Sequence, residues 1–167
     1  MENLAEIVLN IVHELGQKGF NTGRTNIQKI AFFSFTKTRD EYFVPYHYGP
    51  YSEDIQTTIH SLQYKEIIDY GDKGYQTNQH KESTYNTNIK ATISFLESKG
   101  LKDSVNKIAL LAKVFFFYKK NSAKNDTELV AMIKTLSKFM WPEVSQKTES
   151  ELKRYITMAK ELDAVLQ

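Results

Sequence analysis

Apolar residues recur at helical spacing from the start of the chain. Leu4, Ile7, Val8, Ile11, Val12 and Leu15 form one stripe, with Asn3 and Glu6 as a capping-box start and Gly16 and Gly19 as the stop. Thr25 with Gln28 reads as a second box, opening a helix that carries Ile27, Ile30, Ala31, Phe33 and Phe35. Phe32 makes that helix apolar on more than one side, which predicts a central position. Polar Lys37–Glu41 breaks the pattern, and the aromatic run Tyr42–Tyr48 predicts a strand that turns at Gly49-Pro50. Pro45 puts this strand at a sheet edge, because proline donates nothing to a ladder. Alternation sets Phe43 and Pro45 on one face, Tyr46 and Tyr48 on the other, with His47 opposite both tyrosines. A helix opens at Ser52 with Ile55, Ile59 and Leu62 inward, and with Glu53 and Asp54 in the first turn, where the helix dipole favours carboxylates. Ile67–Tyr70, the Gly71–Gly74 turn and Tyr75–Gln79 read as a hairpin, and Gln76–Asn88 as its far strand with a mobile tip.

From Asn88 onward the pattern is helical. One helix runs to Ser98 and stops at Gly100, and a longer one covers Asp103–Tyr118. A third is capped by Asn125 with Glu128 and ends at Trp141-Pro142, and a last one opens with Thr148 and Glu151. The dense run Phe115-Phe116-Phe117-Tyr118 reads as a core helix, the other option being a docking patch. The predicted fold is α+β and mainly helical: a winged-helix-like N-terminal half (residues 1–88) with a small antiparallel sheet, packed against a helical half (residues 89–167). Strand, tight turn, short helix and strand across Tyr42–Tyr70 is the local grammar of a winged helix, a class of binding module.

Composition narrows the options. The chain has 167 residues, 41% of them hydrophobic, with 10 Tyr and 10 Phe, enough apolar material for a core. A net charge of +2 gives no broad pull on nucleic acid or acidic lipid, although a local patch stays open. With no cysteine, disulfides, thiolate chemistry and Cys-ligated zinc are excluded. No stretch approaches the roughly 20 apolar residues of a membrane span. With no signal-peptide pattern either, the expectation is a cytoplasmic protein.

Four histidines occur: His13, His47, His60 and His80. None stands at a metal-binding helical spacing, and no nucleophile, phosphate loop or carboxylate pair accompanies them, so neither enzyme nor cofactor is expected. His13 reads as the solvated edge of the first helix. The aromatic segment gives the first candidate site: Tyr46, His47, Tyr48 and Tyr51 as a protein-binding face, since tyrosines bury area yet keep a polar handle. The alternative is DNA, read by Gln56, Thr57 and His60 from the helix before the wing. Phosphate neutralisation would then fall to Lys65, Lys73 and Lys81, with Arg24 or Lys29 nearby.

The T-x-x-Q-K helix (Thr25, Gln28, Lys29, with Ile30 and Phe33), the turn Tyr46-His47-Tyr48-Gly49-Pro50-Tyr51-Ser52 and the Ile55–Ile59–Leu62 helix carry a resemblance. Over residues 4–70 the chain resembles the YwgA-like proteins, a group related to the Panacea (SocA-like) antitoxin domain. A fainter echo lies at Glu128-Leu129 and Trp141-Pro142-Glu143. Tyr51 departs from the small aliphatic residue that many Panacea members carry there. What the resemblance implies is toxin neutralisation by direct binding. The expected function is thus a non-enzymatic protein-binding module, antitoxin-like or a regulatory adaptor, and the alternative is a DNA-binding regulator using Ser52–Gln63 and the Gly71–Gly74 wing. The expected partners are a protein, a toxin in the antitoxin reading, and DNA in the alternative. The apolar density of Val114–Tyr118 leaves a homodimer open.

Overall fold

The computed structural model describes residues 2–81 and 83–167. The N-terminal half holds helices α1 (Leu4–Gln17), α2 (Arg24–Ser34), α3 (Arg39–Tyr42) and α4 (Glu53–Tyr64). Two antiparallel hairpins interrupt them, β1 (Val44–Tyr46) with β2 (Gly49–Tyr51), and β3 (Asp69–Gly71) with β4 (Gly74–Gln76). The rest is helical: α5 (Asn86–Ser98), α6 (Val105–Lys120), α7 (Asp126–Met140), α8 (Pro142–Ser145) and α9 (Glu149–Val165). The protein is α+β and mainly helical. Thr22 bridges to Gly74 of the second hairpin, so α1, Thr22, α2, α4 and that hairpin follow in a winged-helix-like order, with α3 and the first hairpin inserted between α2 and α4.

α2 is the hub. Every residue from Asn26 to Ser34 is buried, and the helix packs against α1, α5, α6 and β2. Its C-terminal carbonyls would be orphaned in that setting, and Arg39 supplies the donors. The Arg39 guanidinium donates to the carbonyls of Phe32 and Phe33, both at 2.8 Å, and lies over the rings of Phe32 and Phe115. Phe115 and Phe117 are buried as the pattern predicts, with Phe116 and Tyr118 half-buried against the core. The Asn125–Glu128 box forms in full, and Asn3, Ser52 and Thr148 each cap their helix through a side-chain oxygen.

Several expectations are corrected. The Thr25–Gln28 box does not form: α2 starts two residues earlier, with Gly23 at the N-cap and no side-chain cap, and Gln28 is buried elsewhere. The strand expected over Tyr42–Tyr48 is shorter, since Arg39–Tyr42 is a helical turn. The turn lies at His47-Tyr48, not Gly49-Pro50, because Gly49 takes φ +116° and begins β2. Pro45 then faces Pro50 directly. Two residues without N–H groups can face each other only at a non-hydrogen-bonded position of the ladder. Phe43 is buried but Pro45 is exposed, so the expected alternation fails where the strand begins. Beyond Gln76 no far strand follows among the described residues, and α5 opens at Asn86; Glu82, within that span, lies outside them. His13 is half-buried and stacks on His80, with ring centroids 4.2 Å apart.

Candidate functional site

The β1–β2 hairpin exposes several aromatic side chains, and its backbone is held from three sides. Gln28 on α2 clamps Ser52 reciprocally: its Nε2 donates to the Ser52 carbonyl and its Oε1 accepts from the Ser52 N–H, each at 2.9 Å. Lys29 Nζ donates to the Pro50 carbonyl at 2.9 Å. From the other half, Trp141 Nε1 donates to the Tyr46 carbonyl at 2.6 Å. These bonds explain why the chain buries two long polar side chains, Gln28 and Lys29, on a central helix. Their partners are backbone groups that would otherwise go unpaired.

On this anchored backbone the side chains point outward. Val44 is 60% exposed, Tyr46 53% and Tyr48 68%. His47 is exposed too, its ring against that of Tyr46 at 4.4 Å, and Tyr46 also meets Tyr51 at 5.0 Å. Tyr51 is half-buried and donates to Glu53 at 3.2 Å. Burial, and then the bond to Glu53, raise its phenol above the ordinary value, against a pull from Arg24. The four residues expected to form the face, Tyr46, His47, Tyr48 and Tyr51, therefore do lie together on one hairpin. At the end of α7, next to Trp141, Leu136, Phe139 and Met140 add exposed apolar surface that sequence reading passed over.

Tyr48 separates two depressions. One, of about 470 Å³, lies between His47, Lys113, Glu143 and Tyr155. The other, of about 310 Å³, lies between the hairpin and the first turns of α2. Two buried lysines sit beneath them. Lys113 pairs with Glu143 at 2.7 Å. Burial pushes the Glu143 carboxyl up, but the Lys113 bond, its own backbone N–H and the charges of Lys113 and Lys147 together keep the group below its usual range. Lys29, 2% exposed, pairs with no carboxylate among the described residues. Burial, with the Lys113 charge as a second cause, lowers its amine from 10.5 to about 7. Both lysines press on Gly49: a Cβ there would lie 3.3 Å from Lys29 Cε and 3.4 Å from Lys113 Cγ. The sequence signal for Lys29 was the apolar character of α2 on more than one side, since every residue from Asn26 to Ser34 is buried.

The residues of the DNA reading scatter. Thr57 and His60 lie exposed on α4, Lys65 just past its end, Lys73 at the second hairpin's turn, and Lys81 exposed with its backbone N–H on Asn10. Gln56 is corrected: it is buried and bonded to His60 at 3.0 Å, not outward. Lys29 is corrected likewise, since a buried amine cannot reach phosphates on a passing duplex. Arg24 is exposed at the start of α2.

Among the described residues no group of three or more metal-ligating side chains occurs, and no helix is long and apolar enough to cross a membrane. No family model matches the chain, and neither curated proteins nor solved structures yield a match.

Proposed function

We propose that the protein is a non-enzymatic binding module that captures a protein partner through the Tyr46–Tyr51 hairpin, in the manner of an antitoxin or regulatory adaptor. The observation that carries this reading is the hairpin itself: exposed tyrosines on a backbone held by Gln28, Lys29 and Trp141. Large rigid side chains on a fixed backbone lose little entropy on docking, which is the condition for an interface anchor. The resemblance to YwgA-like and Panacea proteins belongs to the same proposal, and a toxin is the partner it names. The test is retention of a partner by the tagged protein through a high-salt wash, followed by titration with that partner purified. Tyr48→Ala is expected to weaken binding about tenfold or more, as loss of an interface aromatic does, with the circular dichroism spectrum unchanged. Equal binding by Tyr48→Ala and Tyr51→Ala would remove the hairpin from the interface.

The winged-helix order, with α4 exposed before a hairpin, supports a second reading as a DNA-binding regulator. Charge weighs against it. From Glu53 to Gln76 the chain carries five carboxylates (Glu53, Asp54, Glu66, Asp69, Asp72) and two lysines (Lys65, Lys73). Such a surface repels phosphates, which usually supply much of the affinity. Binding to a mixed-sequence duplex that falls steeply with salt and is lost on Lys73→Glu would put this reading first.

A further inference from the structure

The pocket beneath the hairpin, about 310 Å³, lies at the small end of the roughly 300–1,000 Å³ range of ligand sites and has room for a pair of side chains. Its walls are unlike in character. Tyr46, Tyr48 and Tyr51 supply aromatic surface from the hairpin, while Arg24 and Lys29 supply positive charge from α2. No side chain caps this end of α2 and its first turn holds no carboxylate, so the backbone adds to the positive potential. Lys29 is the unusual member. An ammonium has three donors, and among the described residues the one acceptor it meets is the Pro50 carbonyl. The charge it feels is that of another cation, Lys113, which itself pairs with Glu143. A buried ammonium without a counter-charge is costly, and an apolar residue would fill the same space without that cost. The vacancy for a negative charge therefore lies in the pocket, beside aromatic walls.

We propose that this pocket takes an acidic side chain of the partner together with a neighbouring aromatic ring, the carboxylate lying toward Lys29 and Arg24 and the ring among Tyr46, Tyr48 and Tyr51. The proposal deepens the protein-binding reading of the hairpin and rests on it. It also gives docking a proton. A carboxylate pairs with the protonated amine, so above pH 7 each binding event takes up a proton at Lys29, and affinity falls about tenfold per pH unit. The other charged groups facing this region do not offset that trend. Lys113 pairs with Glu143, Tyr51 bonds to Glu53 and His60 to Gln56, and the Lys29→Met variant separates the contribution of Lys29 from theirs.

The probe is the capped dipeptide N-acetyl-Asp-Tyr-amide, compared with its Asn-Tyr counterpart, free 4-hydroxyphenylacetate and inorganic phosphate. Amide resonances of the whole chain are followed by NMR at pH 6, 7, 8 and 9. The expected result is saturable shifts at Gln28, Gly49 and Gln56 with the acidic dipeptide, much weaker with the amide analogue. Arg24→Gln should weaken the binding, and the fall above pH 7 should vanish in Lys29→Met. The pH series on the unaltered protein stands even if Lys29→Met folds poorly. Equal shifts from both dipeptides, no fall with pH, or equal competition by phosphate would overturn the proposal. Binding of the free acid with exclusion of the dipeptide would overturn the partner as its source. Docking and pocket can fail separately: partner capture that depends on Tyr48 but not on Arg24 or pH keeps the interface and removes the pocket.

Discussion

The two hairpins share a geometry and differ in what they rest on. Each joins three-residue strands across two residues, His47-Tyr48 in one and Asp72-Lys73 in the other. In each, the second strand starts on a glycine at nearly the same φ, +116° at Gly49 and +117° at Gly74. Gly74 is pressed onto main chain: a Cβ there would come within 2.4 Å of the Thr22 carbonyl carbon. Thr22 also stitches the turn from both sides, donating its N–H to the Lys73 carbonyl at 2.7 Å and accepting from Tyr75 N–H at 3.1 Å. Gly49 instead rests on the stems of Lys29 and Lys113. One hairpin is thus fixed to a backbone that has a single state. The other is fixed to an amine whose charge changes near pH 7, so its footing depends on solution conditions and on what occupies the neighbouring pocket.

The largest effect that separates them is expected at Gly74. Gly74→Ala adds a methyl group into main chain at a φ that L-residues avoid, and should cost about 3 kcal/mol or more in urea unfolding. A loss under 1 kcal/mol would mean that the Thr22 stitch is loose. Next comes the pH dependence that Lys29 imparts. Its amine is lowered to about 7 in the folded chain and returns toward 10.5 on unfolding. Between those values the unfolded chain binds the extra proton, so stability rises with pH, and below pH 7 the full penalty is present. Between pH 6 and pH 9 the rise amounts to about 2–3 kcal/mol. Lys29→Met should abolish that rise, and unfolding curves at pH 6, 7.5 and 9 that run parallel for both proteins would refute it. At Gly49 an added methyl group meets flexible lysine stems, so Gly49→Ala should cost about 1–2 kcal/mol, from strain at positive φ, and less than Gly74→Ala. The smallest change belongs to Tyr48→Ala. Its side chain is solvated, and the melting midpoint should stay within the ~0.5 kcal/mol typical of surface substitutions even where binding is lost.

Legibility in the sequence followed the same division. Helices with a clear apolar period were readable, and α1, α4 and α7 begin at the caps that their sequences announce. That Tyr46, His47, Tyr48 and Tyr51 are neighbours was readable as well, because they fall within six residues of one turn segment. What escaped was set by long-range partners. The Gln28–Ser52 clamp spans 24 residues and the Trp141–Tyr46 bond 95, and no local pattern records either. Gln28 was misread as a cap for that reason: a glutamine three residues after a threonine looks local until its backbone partner is seen. Lys29 was misread because lysine is almost always solvated. Gln56 was read as outward because its contact, His60, lies one helical turn away on the same helix and closes over it.

The Trp141 bond to the Tyr46 carbonyl has a consequence in time as well as in energy. With that carbonyl, the Pro50 carbonyl and both Ser52 backbone groups occupied, the hairpin has no ordering step to complete before it meets another molecule. Encounter should therefore proceed in a single exponential phase, at the ~10⁵–10⁷ M⁻¹s⁻¹ usual for two preshaped patches. Changes at the tyrosines would then be felt in how long the complex lasts, and hardly at all in how fast it forms.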